Sequence, residues 1–459
     1  MSDLPPGWSH AAIGDLLLRI EAGKSFRCEP RPASSSEWGI IKVSAMTWGA
    51  FREEENKAVP AGVDFNPDYE IKTGDILVSR ANTEEYVGAP VMVDRCRRHL
   101  LLSDKSLRLV ASEHLNSRWL YYLLSSPAVR GEISRRATGT KDSMRNISQE
   151  TLASIHVQVP PLAEQQRIVA TLEDHLSRLD AAVVSALAAA RKVVALRRRT
   201  LANLVAPDSS GSWKKYRLED VATAVRNGMF VSRPGHEPDG VPILRISAVR
   251  SLALDLSDFR YTAKSPEVVQ REGYLLRGGD LLFTRYSGNS EYVGACAVVP
   301  ENLEPLTYPD KLIRVSPNRS LVDPIYLAMA CSAGESRQAI RSAVKTTAGQ
   351  AGISGGEIKR ILLYLPDLDE QRRRAAEFQE HDEAMRHVEE NVRSVARRGD
   401  YLRRSILTEA FAGRLVPQDP AEEPASVLLE RIRAEQAAQL RARRRSKTAM
   451  HAPQEETLL

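Results

Sequence analysis

Residues 160–205 read PPLAEQQRIVATLEDHLSRLDAAVVSALAAARKVVALRRRTLANLV, and this stretch decides the fold. Pro160 and Pro161 block a helix upstream, and Glu164 places an acid in the first turn, where it suits the helix dipole. Val169, Leu172, Leu176, Leu179, Val183, Ala186, Ala190 and Val193 then fall alternately three and four apart. That spacing predicts a coiled-coil seam on one helix, about 60 Å long at 1.5 Å per residue. The small residues Ala186 to Ala190 predict a close approach to a partner helix.

A degenerate copy begins 206 positions later, with Pro366, Leu368, Glu370, Gln371 and Arg373 in place of Pro160, Leu162, Glu164, Gln165 and Arg167. Its apolar stripe is read as Phe378, Met385, Val392, Val395 and Leu402, and Gly399 is expected to loosen it. The repeat extends upstream. WSHAAIGDL (8–16) returns as WKKYRLEDV (213–221), GDILVSR (74–80) as GDLLFTR (279–285), and EYVGA is identical at 85–89 and 291–295. Duplication of a whole unit follows. Short β-favouring runs broken by Gly, Pro, Asn and Asp fill residues 1–159 and 207–365. The expected fold is α+β: two pseudo-symmetric domains joined by two long helices forming an antiparallel coiled coil, with the domains at opposite ends. The boundaries are 1–159, a helix at 160–206, 207–365, a helix at 366–415, and a C-terminal helix and basic tail at 416–459, polar and disordered beyond Arg445.

The 459 residues carry a formal charge of +5, with clusters at Arg197, Arg198 and Arg199 and at Arg441 to Lys447. Such clusters are solvated faces, or surfaces for DNA or a protein partner. No apolar run reaches membrane-spanning length and no secretory pattern opens the chain, so no membrane association and a cytoplasmic location are expected. Cys28, Cys96, Cys296 and Cys331 are scattered and are read as buried free thiols.

Catalytic constellations are missing from the sequence. No GxxxxGK[ST] loop occurs, the histidines lack metal-ligand spacing, and Asn66-Pro67-Asp68-Tyr69 departs from the methyltransferase NPPY and is read as a turn. No catalytic residue, metal site or cofactor is expected in this chain.

Residues suited to DNA are more evident. Base edges and phosphates call for Arg, Lys, Asn and Gln on loops. The loops after the Gly-Asp strands supply Arg80 and Asn82 in one copy and Arg285 and Asn289 in the other. Lys42 and Arg245, Lys105 and Lys311, and Arg108 and Arg314 are basic in both copies, and a third loop offers Lys141, Arg145 and Gln350. Seam residues Leu172, Leu176, Leu179, Val183, Phe378, Met385, Val392 and Val395 are the expected partner contacts.

PPLAEQQRI, LPDLDEQRR, the two Gly-Asp strands and residues 402–435 together give the chain its family likeness: it resembles the specificity subunit of type I restriction–modification systems over essentially its full length. The resemblance implies a non-catalytic subunit whose two target-recognition domains each read half of a bipartite, asymmetric site in double-stranded DNA. Its helices would dock two methyltransferase subunits and, through them, motor-nuclease subunits. S-adenosylmethionine, ATP and Mg2+ would then belong to the partners. An autonomous DNA methyltransferase or nuclease and a structural coiled-coil scaffold are the competing readings.

Overall fold

The computed structural model describes residues 4–47, 49–141, 144–207, 212–231, 234–235, 240–347 and 350–450, the side chains of 140, 141, 347 and 443–450 excepted. The chain divides into two compact units, Met1–Ser185 with Val395–Leu459, and Ala186–Ser394.

In the first unit a four-stranded antiparallel sheet has the order Leu17–Ala22, Ser106–Ala111, Ile76–Ser79, Pro90–Met92. The second unit repeats this order with Ala222–Asn227, Leu312–Pro317, Leu281–Thr284 and Cys296–Val298. The central strands, Ile76–Ser79 and Leu281–Thr284, are buried at every position, as β-branched and apolar runs covered on both faces should be. Two helices cover each sheet. In the first unit they are Ser117–Ser125, capped by Asn116, and Pro127–Arg136, and in the second Pro324–Ser332, capped by Asp323, and Gly334–Ala343.

A two-stranded clasp closes each domain next to its long helix. Ser9–Ala12 pairs with His156–Val159, and Lys214–Arg217 pairs with Leu362–Leu365. The long helices follow at Leu162–Val205 and Leu368–Phe411. Each start is stitched to its domain by the same glutamine. Gln165 Nε2 donates to Pro160 O at 3.0 Å while its Oε1 accepts from Asn116 N at 3.1 Å. Gln371 does the same to Pro366 O at 2.9 Å and from Asp323 N at 3.0 Å.

The long helices run antiparallel within each unit. In the first unit Asp180 pairs with Arg403, and Val183 lies against Gly399. In the second, Arg197 pairs with Asp382, and Arg374 Nη1 donates to Leu204 O at 3.0 Å. The first seam is the one expected, covered at Leu172, Leu176, Leu179, Val183, Ala186, Ala190 and Val193. The second follows the expected stripe at Phe378, Met385 and Val392 and leaves it after that. Its covered positions are Phe378, Asp382, Met385, Glu389, Val392, Ala396, Gly399 and Arg403, while Val395 and Leu402 are exposed. Gly399 therefore belongs to the seam. A Cβ there would lie 2.8 Å from Val183 Cγ2, so glycine brings the helices together rather than loosening them.

The C-terminal helix, Ala425–Met450, continues beyond Arg445, and residues 451–459 lie outside the described residues. Leu428, Leu429 and Ile432 complete the first unit's core beside Trp119 and Leu172. Cys296 and Cys331 are buried free thiols, but Cys28 and Cys96 are only half-buried. Asn66 caps the turn Pro67–Tyr69. Among the described residues no helix is long and apolar enough to cross a membrane.

Candidate nucleic-acid interface

The identical pentapeptides 85–89 and 291–295 are held the same way in both domains. Gly88 and Gly294 adopt φ of +70° and +69°, and a Cβ on either would sit 2.2 Å from Cγ2 of Ile133 or Ile340. Arg130 Nη2 donates to Glu85 O at 3.0 Å, and Arg337 Nη2 donates to Glu291 O at 2.9 Å. Burial without an acidic partner lowers the Arg130 guanidinium to about 10. The pentapeptide is thus a latch that fixes the end of the adjoining loop. Sequence reasoning missed Arg130 and Arg337, although both stand at corresponding places in the repeat.

Each loop after the Gly-Asp strand joins the third loop in a small sheet. Asn82 pairs with Arg145 and Ala81 with Asn146, while Tyr286 pairs with Gly352 and Ser287 with Ala351. Arg80 and Arg285 sit where the two sheets meet, with backbone bonds in the same pattern. Arg80 N donates to Lys105 O at 2.8 Å, and Arg285 N to Lys311 O at 2.9 Å. Both side chains are half-buried, and Arg285 lies 4.7 Å over the Tyr286 ring.

Several predicted contacts are committed elsewhere. Arg108 has a side-chain exposure of 8% and pairs with Glu21 at 2.5 Å and Asp75 at 3.1 Å. It also donates to Glu70 O at 2.8 Å and Asp68 O at 2.5 Å. With its donors engaged inside the domain, it is a structural arginine rather than a DNA contact. Arg314 is likewise turned inward, donating to Leu275 O at 2.8 Å and lying 5.6 Å over Tyr308. Lys42 faces Glu55 at 3.4 Å, and Arg245 faces Asp258 at 3.1 Å. Arg145 donates to Ala137 O at 2.8 Å, and Asn82 donates to Ser79 Oγ at 3.2 Å. Lys105 is exposed, and the side chain of Lys141 lies outside the described residues.

In the second domain the fold does gather predicted residues. Asn289, Lys311 and Gln350 line one open depression of about 370 Å3, together with Arg250, Tyr286 and Tyr292. Lys311 and Gln350 are exposed, and Asn289 accepts from Glu291 N at 3.0 Å, leaving its amide nitrogen to donate. Arg250 lies 4.4 Å over the Tyr292 ring, making a planar ridge at the rim. A Cβ at Gly352 would stand 2.5 Å from the Tyr286 ring, so glycine is what lets that ring seat. Donors, a cation and aromatic faces beside a small sheet are the chemistry that base edges and phosphates require. Among the described residues no group of three or more His, Cys, Asp or Glu is placed to hold a metal.

The expected partner contacts also fall differently. Leu172, Leu176, Phe378 and Val392 are buried, and Leu179, Val183 and Met385 half-buried, in helix packing within their own unit. Only Val395 of that set is exposed, because it lies off the seam. The apolar side chains that the helices leave open are Val184, Val395, Tyr401 and Leu402 in the first unit and Leu187, Val194, Leu196 and Val388 in the second.

A family model for the type I restriction modification DNA specificity domain matches residues 6–183 and again 211–393. The chain belongs to that family. The duplicated match corresponds to the duplicated fold. The EcoKI specificity subunit of the type I restriction enzyme from Escherichia coli (strain K12) is 33% identical over 461 residues, covering 95% of this chain and 97% of the relative. The StySPI specificity subunit of Salmonella potsdam is 23% identical, covering 95% and 96%. A solved chain from work on complex assembly and conformational transition of the type I R-M system superposes with a TM-score of 0.67 at 19% identity. It covers 90% of this chain and 100% of that one, and shows the fold. As a type I specificity subunit, this chain recognises DNA sequence through two domains joined by an antiparallel coiled coil.

Proposed function

We propose that each domain reads one half of a bipartite, asymmetric site in double-stranded DNA. The observation that carries this is a common frame with different centres. Both domains hold the loop between the Gly-Asp strand and the EYVGA latch by the same backbone bonds, yet the loops read Ala81-Asn82-Thr83-Glu84 in one and Tyr286-Ser287-Gly288-Asn289-Ser290 in the other. A conserved scaffold with divergent loops suits two readers of different bases.

The chain itself does no covalent chemistry in this reading. Two methyltransferase subunits dock on its helices, and motor-nuclease subunits join through them. The exposed apolar side chains Val184, Tyr401 and Leu402 support docking there, since they offer apolar surface that a partner can cover. S-adenosylmethionine, ATP and Mg2+ are bound by those partners.

The test is to express the chain with its methyltransferase and map methylated adenines across a genome. A two-part motif with a fixed spacer is expected. A single short or palindromic motif would overturn the reading, as would methyl transfer by the isolated chain.

A further inference from the structure

The second unit contains another cavity, of about 510 Å3, whose lining includes Arg197, Arg198, Arg337 and Arg341 against a single carboxylate, Glu291. Arg341 pairs with Glu291, and Arg197 pairs with Asp382 in the helix seam. Arg337 spends its donors on Val293 O at 3.1 Å and Glu291 O at 2.9 Å. Arg198 is exposed and makes no ion pair among the described residues. The cavity is therefore cationic after its internal pairs are counted.

The helix Gly334–Ala343 adds to this field. Ser332, Ala333 and Gly334, at its start, line the same cavity. Its N-cap, Ala333, offers no side-chain acceptor, whereas Ser126 caps the matching helix of the first unit by accepting from Val129 N at 3.5 Å. First-turn N–H groups without a cap favour an anion.

The cavity borders the base-reading depression. Arg250 and Tyr292 line the depression, while their chain neighbours Ser251, Leu252 and Glu291 line the cavity. The Arg250–Tyr292 stack stands at that border. That ridge is held in place, because Arg386 Nη2 donates to Leu252 O at 3.1 Å and Leu252 itself is fixed at a φ of 59°.

We infer that this arginine cavity binds backbone phosphate of the DNA strand alongside the half-site read by the second domain, with Arg198 and Arg341 as the contacting residues. The inference rests on the DNA-reading function proposed above. A duplex whose base edges enter the depression carries its phosphates across the ridge, and guanidinium forks match phosphate oxygens bidentately. Contacts of this kind set position and leave base choice to the neighbouring depression.

The experiment uses the full chain in complex with its methyltransferase and a duplex oligonucleotide carrying the mapped site. Arg198→Ala and Arg341→Ala should each weaken binding several-fold, equally on the cognate duplex and on one with the second half scrambled. The slope of log K against log salt should fall by about one per phosphate lost, with site preference unchanged. Arg198→Lys should keep most of the slope. Replacing single phosphates beside the second half by neutral methylphosphonates should reproduce the loss, and the alanine variants should then add nothing. An unchanged slope in both alanine variants, or a loss confined to assembly with the methyltransferase, overturns the inference. If the wild-type complex prefers no site at all, it is the DNA-reading function that fails. A site-selective complex with an unchanged slope sinks only the phosphate site.

Discussion

Trp8 donates its indole N–H to the buried carboxylate of Glu164 at 3.0 Å, and the equivalent pair in the second unit, Trp213 and Glu370, makes no such bond. There Arg374 lies 4.9 Å over the Trp213 ring, and Arg373 and Arg374 hold Glu370. Burial raises the Glu164 carboxyl above its ordinary value despite the bond from Trp8, while the two arginines lower Glu370 to about 2. The Glu164 carboxyl thus holds its proton more tightly in the folded unit than in the unfolded chain. Its contribution to stability is greatest below the unfolded carboxyl pKa and falls as pH rises through the raised folded value. Glu164→Gln, which can still accept from Trp8, should flatten that fall and gain on the wild type toward neutral pH. Denaturation midpoints measured across pH decide this, and parallel curves for the two proteins would refute it.

Gln165 and Gln371 are both essentially buried, and each satisfies backbone groups at a helix start. Alanine at either position strands those groups. A cost of roughly 1–3 kcal/mol in chemical denaturation is expected for each. Losses below a few tenths would mean that water replaces the side chain.

Glycine inside a helix ordinarily costs about 1 kcal/mol relative to alanine. Gly399→Ala should nonetheless bring no such gain, because the new Cβ meets Val183 Cγ2 at 2.8 Å. Combined with Val183→Ala, the clash is removed and the two changes should couple favourably in a double-mutant cycle. Simple additivity would show that the seam relaxes freely.

Arg108 and Gln350 should separate structure from reading. Arg108→Ala leaves Glu21 and Asp75 without their shared partner, at a cost of roughly 3–5 kcal/mol seen as lower thermal stability. Gln350→Ala should leave the melting temperature unchanged and relax discrimination at one position of the second half-site by roughly 1–3 kcal/mol, measured by competition with single-base variants. A uniform loss over all sequences would make Gln350 a phosphate contact instead.

Tyr401 is 71% exposed on the second long helix, with Leu402 beside it at 47%. Tyr401→Glu and Leu402→Glu should weaken copurification with the methyltransferase while far-UV circular dichroism and melting stay as in the wild type. Undiminished assembly would place the docking face elsewhere.

The duplication, both long helices and the first seam were legible in the sequence because they rest on local spacing, which a helix preserves whatever surrounds it. The family was legible through motifs at the helix starts, and Gln165 and Gln371 explain why those motifs persist. Which polar residue does what was not legible. Arg108 and Lys311 are equally basic in the sequence, yet the fold brings Arg108 to Glu21, 87 positions away, and leaves Lys311 open beside Gln350. The far end of the second seam was misplaced for a similar reason: Asp382, Glu389 and Arg403 occupy covered positions, so apolar residues alone pointed off the line at Val395 and Leu402. Glu164 and Glu370 make the same point, being one residue type at one place in the repeat. Periodicity determines an element and its face, but burial and the nearest opposite charge are set by strands and helices distant in the chain, and only the tertiary structure decides those.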